Sequence, residues 1–145
     1  HKYPKNYFDC VVLRGTIEHL ADPEPYIKKI YKILKKKGKV FIIATPNISS
    51  VSAKIFKKHW TLFHPIQHLS HFSVNNLEIL FKKYQFKLSG CEYPYLGTPY
   101  ENILKDSLNF FWCFVKLYII KGNKDGIMNS PPFFRNMMSV SFIKK

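Results

Sequence analysis

Three short clusters in this chain carry side chains that could do chemistry. Arg14-Gly15-Thr16-Ile17-Glu18-His19 sets a guanidinium, a hydroxyl, a carboxylate and an imidazole close together, and Thr45-Pro46-Asn47 adds a hydroxyl and an amide. Four histidines, His59, His64, His68 and His71, then fall within thirteen residues. Imidazole changes charge near neutral pH, so it suits both proton transfer and metal ligation. His64, His68 and His71, at i, i+4 and i+7, would share a face if this segment were helical, which is one way to build a zinc site. Pro65 argues against a helix starting before His64, and no cysteine or carboxylate stands nearby in sequence to complete a set of four ligands. No metal site is therefore expected. A plainer reading stands beside the chemical one: Glu18 and His19 are solvated loop residues, and the histidines cap loops and pack under Trp60.

The elements that must position these clusters follow from periodicity. Residues 10–13 and 40–44 are apolar runs that do not alternate with polar residues, the pattern of parallel strands covered on both faces. Between them Ile27, Ile30, Tyr31 and Leu34 mark one helical face, and Lys28, Lys29, Lys32, Lys35 and Lys36 cover the rest. Asp22 is placed to cap this helix, Pro23 suits its first position, Pro25 still lies in its first turn, and Gly38 is expected to close it in a left-handed conformation. Strand, crossover helix and strand make one right-handed parallel unit. Open α/β sheets bind ligands at the carboxyl ends of their strands, which here are the clusters at 14–19 and 45–47.

Further along, Ser49 or Ser50 can cap a short helix carrying Val51, Ile55 and Phe56. Ser73 can cap one carrying Leu77, Leu80, Phe81 and Tyr84. Residues 86–92 and 138–143 read as strands. The most apolar run, 108–120, is shorter than the roughly twenty residues of a membrane span, and Lys116 interrupts it. A buried or partner-facing helix is expected there; a membrane-surface helix flanked by Lys105 and Lys121 is the sharper alternative. Residues 122–132 read as a polar loop. Nothing marks a second domain.

The formal charge is +14 over 145 residues, and of the 23 basic residues only Arg14 and Arg135 are arginine. Base and phosphate recognition favours arginine forks, so the surplus reads as a solvated lysine face and a nucleic-acid partner is not expected. Attraction to an anionic membrane surface stays open. Three cysteines without CxxC spacing suggest buried thiols in a reducing, cytoplasmic setting.

The run FDxVVxxxxxEHLxDPxxxIxxIxxxLKxxGxVxIxxTPN, from Phe8 to Asn47, resembles the fourth strand, following helix and fifth strand of class I S-adenosylmethionine-dependent methyltransferases. It is most similar to the small-molecule and ubiquinone-biosynthesis-like O-methyltransferases. HLSHFSVNNLEILFKKYQFKL and PPFFRNMMSVSFIKK are similar to that family's later helix and strands. The six glycines form no glycine-rich cofactor loop.

The resemblance implies a partial Rossmann-like α/β fold holding strands 4-5-7-6 of the family's order 3-2-1-4-5-7-6, the last strand antiparallel. The chain would be the C-terminal part of one methyltransferase domain, with helical acceptor-side insertions around 48–72 and 100–130. It implies S-adenosyl-L-methionine as cofactor and a small-molecule acceptor, methylated on oxygen or nitrogen, with oxygen favoured. Arg14, Gly15, Thr16, Glu18 and His19 would line the methionine side of the cofactor. Thr45, Asn47, Trp60 and His64 would face the acceptor, and His71 or His68 would take its proton. The alternative is a non-enzymatic basic module binding a membrane surface or nucleic acid. An unpaired first strand would also make the isolated chain prone to aggregate.

Overall fold

The computed structural model describes residues 3–64, 66–120 and 131–145. The two apolar runs form β1 (Phe8–Arg14) and β2 (Leu34–Pro46), paired in parallel with Val11 opposite Val40 and Leu13 opposite Ile42. Between them runs α1 (Glu24–Ile33), with Ile27 and Ile30 buried and its lysines outward. Its start lies one residue later than the sequence suggests: Pro23 is the cap, and Asp22 Oδ1 accepts the Glu24 amide at 3.0 Å.

The end of α1 departs more. Leu34 is already extended, and the left-handed residue is Lys37 (φ 63°), not Gly38. Gly38 serves close packing instead. A Cβ there would lie 2.9 Å from the Lys35 carbonyl oxygen and 3.2 Å from that of Asp9, so only glycine lets the two backbones approach.

Next come α2 (Val51–Phe56), capped by Ser50, and α3 (Val74–Lys82), where Ser73 and Asn76 exchange reciprocal capping bonds. Strand β3 (Phe86–Glu92), helix α4 (Ile103–Val115) and strand β4 (Met137–Lys144) follow. The sheet order is β1-β2-β4-β3, with β4 antiparallel to both neighbours. This is the expected 4-5-7-6 arrangement.

Val40 lies opposite Phe142 and Ile42 opposite Val140, so these four side chains share a face. They are buried in one core with Ile27 and Ile30 of α1 and Leu77 and Phe81 of α3. Phe81 stacks on Phe142 with ring centroids 4.3 Å apart. Lys144 turns back into this core. Its Nζ donates to the Tyr31 and Leu34 carbonyls, each at 2.7 Å, and sits over the Tyr31 ring. A cation thus meets carbonyls at the C-terminal end of α1, and burial holds the Lys144 pKa below the ordinary lysine value.

Coverage of both faces, read from the unbroken apolar strands, is not what forms. On the other face Phe41, Ile43, Ser139 and Ser141 line a depression of about 320 Å³. On the edge strand β1, Cys10 and Val12 are exposed. The cysteine expectation fails with it: Cys10 is exposed, and Cys91 and Cys113 are half-buried.

A smaller cluster of Ala53, Phe56 and Trp60 packs against Phe110, Cys113 and Leu117. It anchors α4, but of the expected buried or partner-facing helix over 108–120 the buried alternative is corrected. Leu108, Phe111, Trp112, Ile119 and Ile120 are exposed, and the segment passes from α4 into a π turn at Lys116–Ile120. Of the expected loop 122–132 and the insertion 100–130, residues 121–130 lie outside the described residues.

Replacing Phe142 by Ala removes the ring on which Phe81 stacks. The expected loss is about 3–5 kcal/mol of unfolding free energy, read by urea denaturation, against no more than ~0.5 kcal/mol for Phe111→Ala on the exposed face.

Candidate active site

Both parallel strands end at one corner. Beyond β1 the chain turns at Gly15 (φ 51°), whose amide still donates to the Ile43 carbonyl at 3.0 Å. A short 3-10 turn, Ile17–His19, follows. Ile17 is fully buried and acts as the apolar anchor of the turn. Glu18 is not the solvated residue of the plainer reading. It is 2 % exposed, and its Oε2 accepts from the Thr45 hydroxyl at 3.2 Å. Arg14, Gly15 and His19 remain exposed at the lip, and the Thr16 hydroxyl donates to the Arg14 carbonyl at 2.8 Å.

The segment after β2 is pinned across this corner by backbone bonds. Asn47 bridges Phe72, the Ile48 amide donates to the Phe72 carbonyl at 2.9 Å, and the Ser70 amide donates to the Glu18 carbonyl at 3.0 Å. Asn47 itself is buried. Its Nδ2 donates to the Arg135 carbonyl at 3.1 Å, and its Oδ1 accepts the Ser49 amide at 3.0 Å. Thr45 and Asn47 are thus occupied in bonds that hold loops together. Trp60 is buried beneath α4, and His64 is exposed. Of the residues expected to face an acceptor, Thr45, Asn47 and Trp60 are thus buried and His64 alone is exposed.

The histidines that do converge are His19, His68 and His71. Residues 66–71 form a turn, a bend and irregular backbone, not a helix, so the helical-face arrangement of His64, His68 and His71 does not form. The rings of His19 and His68 lie 5.0 Å apart, and those of His68 and His71 6.4 Å apart. Phe63 stacks on His71 at 4.6 Å. His19 Nδ1 is 2.6 Å from the Gln67 carbonyl oxygen, and His68 Nδ1 is 2.9 Å from that of Leu62. A carbonyl accepts only, so in both rings Nδ1 carries a proton. Glu18, His19 and His68 each offer one ligand atom, all within 4.8 Å of one another. Spacing alone could not bring His68 to Glu18, because the bond that does so runs from the Ser70 backbone.

Comparison with known proteins gives a family and a fold. A methyltransferase-domain family model matches residues 1–89, more than half the chain. No curated protein matches. Among solved structures, a SAM-dependent methyltransferase from Thermotoga maritima aligns over 100% of this chain and 59% of its own length, with TM-score 0.61 and 18% identity. A chain in the complex of the Trm112 methyltransferase activator and a methyltransferase from Haloferax volcanii aligns over 99% and 57%, with TM-score 0.60 and 12% identity. The [4+2]-cyclase SpnF aligns over 99% and 52%, with TM-score 0.55 and 13% identity. The chain therefore spans between half and two thirds of these proteins' lengths, and at such identities the likeness is one of fold.

Among the described histidines, His71 has the most perturbed surroundings. Its Nε2 is buried without a hydrogen-bond partner among the described residues. Burial, and then the nearby His68, hold its pKa below the ordinary histidine value. The folded state thus favours neutral imidazole. The stability this contributes is complete above pH 6.5 and is lost as pH falls through the depressed folded value. His71→Gln is expected to flatten that acid-side loss, read as melting temperature against pH. Ring-proton NMR should show His71 titrating below 6.5.

Proposed function

The chain belongs to the methyltransferase-domain family, and from that premise we propose that it is the acceptor-side, C-terminal part of an S-adenosylmethionine-dependent methyltransferase acting on a small-molecule hydroxyl. One observation carries the reading: the carboxyl ends of β1 and β2 and the pinned histidine segment meet at a single corner.

The exposed lip of that corner fits the methionine end of the cofactor. Arg14 offers a cation for its carboxylate. At Gly15 no side chain intrudes, and an added Cβ would meet nothing nearer than Glu18 Oε1 at 3.9 Å. When bound, S-adenosylmethionine supplies an electrophilic methyl group on a sulfonium. Glu18 supports the lip from below through Thr45 rather than reaching out of it. His71, kept neutral by burial, is in the protonation state a base requires and would take the acceptor's proton. The pinned segment would help to position the acceptor beside the bound cofactor, and most of the acceleration would come from that positioning.

A second reading rests on a separate surface. Leu104, Leu108, Phe111 and Trp112 are exposed along α4, and Lys116 Nζ lies 5.4 Å from the Trp112 ring centroid. An apolar face bordered by lysine on a chain of charge +14 suits peripheral contact with an anionic membrane. No helix among the described residues is long and apolar enough to cross one.

Three measurements on the full natural polypeptide test these readings. His71→Ala should lower kcat about 10²-fold or more while leaving the cofactor Kd unchanged, and Arg14→Ala should raise that Kd roughly 10–100-fold. Unchanged turnover in the first variant removes His71 from catalysis. Co-sedimentation with phosphatidylserine vesicles should fall with added salt and with Trp112→Asp; binding that ignores both counts against the membrane contact.

A further inference from the structure

We propose that Glu18, His19 and His68 form a binding site for a divalent transition-metal ion. Each residue contributes one ligand atom, and the three lie within 4.8 Å of one another. Two ligands ~2.1 Å from one ion at a tetrahedral angle sit roughly 3.4 Å apart, so closing the set brings the ligand atoms together by about 1.4 Å at most. His19 is exposed and has room to move.

Three further features support the site. In both imidazoles Nδ1 is committed to a backbone carbonyl, Gln67 for His19 and Leu62 for His68. That is the outer-shell pattern of metal-binding histidines, in which the backbone carbonyl fixes the tautomer and orients the ring. Glu18 is a carboxylate 2 % exposed whose one side-chain bond among the described residues comes from a neutral hydroxyl. No lysine or arginine among the described residues pairs with it; the ion pairs found there are Lys35–Asp9 and Lys83–Glu24. A buried carboxylate next to two imidazoles has its charge better met by a cation than by Thr45 alone. Finally, the site sits where the Ser70–Glu18 backbone bond holds two loops together, so its ligands come from rigidly joined segments.

Two imidazoles and one carboxylate select Zn²⁺, Co²⁺ or Mn²⁺ over Mg²⁺, which prefers oxygen ligands and keeps its waters. Three protein ligands leave at least one coordination position open. His68 then serves as a ligand, and the proton-accepting role falls to His71, whose Nε2 is not in the set. The metal site does not rest on methyl transfer; its test reads binding alone.

The full natural polypeptide, stripped with chelator, is titrated with Zn²⁺ by calorimetry and with Co²⁺ by visible absorption. One equivalent per chain is expected, with d–d bands of nitrogen–oxygen ligation. His19→Ala, an exposed change that leaves the fold intact by circular dichroism, should weaken binding at least about tenfold. Glu18→Gln and His68→Ala should do the same, and His59→Ala should not. No stoichiometric binding, or binding unchanged in His19→Ala, overturns the site. Should Glu18→Gln or His68→Ala fail to fold, His19→Ala still decides. Mg²⁺ binding as tightly as Zn²⁺ overturns the assignment of ion class.

Discussion

The corner depends on one constraint: a carboxylate must be kept inside the protein where two parallel strands end. Glu18 lies below the surface, with Thr45 of the neighbouring strand as its hydrogen-bond donor. Its backbone carbonyl takes the Ser70 amide. One residue therefore ties the end of β1 to the end of β2 through its side chain and to the histidine segment through its backbone. Burying a charge without a cation is costly unless the site supplies compensating polar groups. Those groups are drawn from elements far apart in sequence, so the corner holds its shape only when β1, β2 and the 60–72 segment are all in place.

Where the sequence was clear about the fold, it was clear for a physical reason. Unbroken apolar runs and a 3.6-residue stripe admit few solutions, and β1, α1 and β2 form where the pattern puts them. The misreadings are equally physical. Leu34 continues the helical stripe of α1, yet its side chain serves the core just as well from an extended backbone. Gly38 looks like a helix cap, but the carbonyls of Lys35 and Asp9 demand a residue without Cβ there for reasons of space. Run 108–120 is apolar enough to be core. Only the finite size of the Phe56 and Trp60 cluster shows that one stripe of it is anchored while the rest faces outward.

The site was legible as a list of residue types and not as an arrangement. Glu18 and His19 could be picked out at a strand end because open α/β sheets place ligands there. Which histidine joins them could not be read from sequence. His64 and His68 are equally polar, and the choice between them is made by the Gln67 and His68 amides, which donate to the His64 carbonyl, and by a single amide at Ser70. Thr45 and Asn47 carry the right chemistry for an acceptor, yet their groups are bonded internally. Composition cannot tell a polar group that binds a ligand from one that binds its own backbone.

Fold likeness alone leaves the chemistry undecided. Structures with this architecture include methyltransferases and a [4+2]-cyclase, each similar to the chain at identities too low to transfer a role. What distinguishes one use of the fold from another must lie in the few groups at its corner. Here those groups are a buried carboxylate, two imidazoles with fixed tautomers and a third kept neutral by burial. The first three together suit a cation, and the last suits a proton. On the roles proposed for them, these adjacent residues divide the two tasks, and no one histidine carries both.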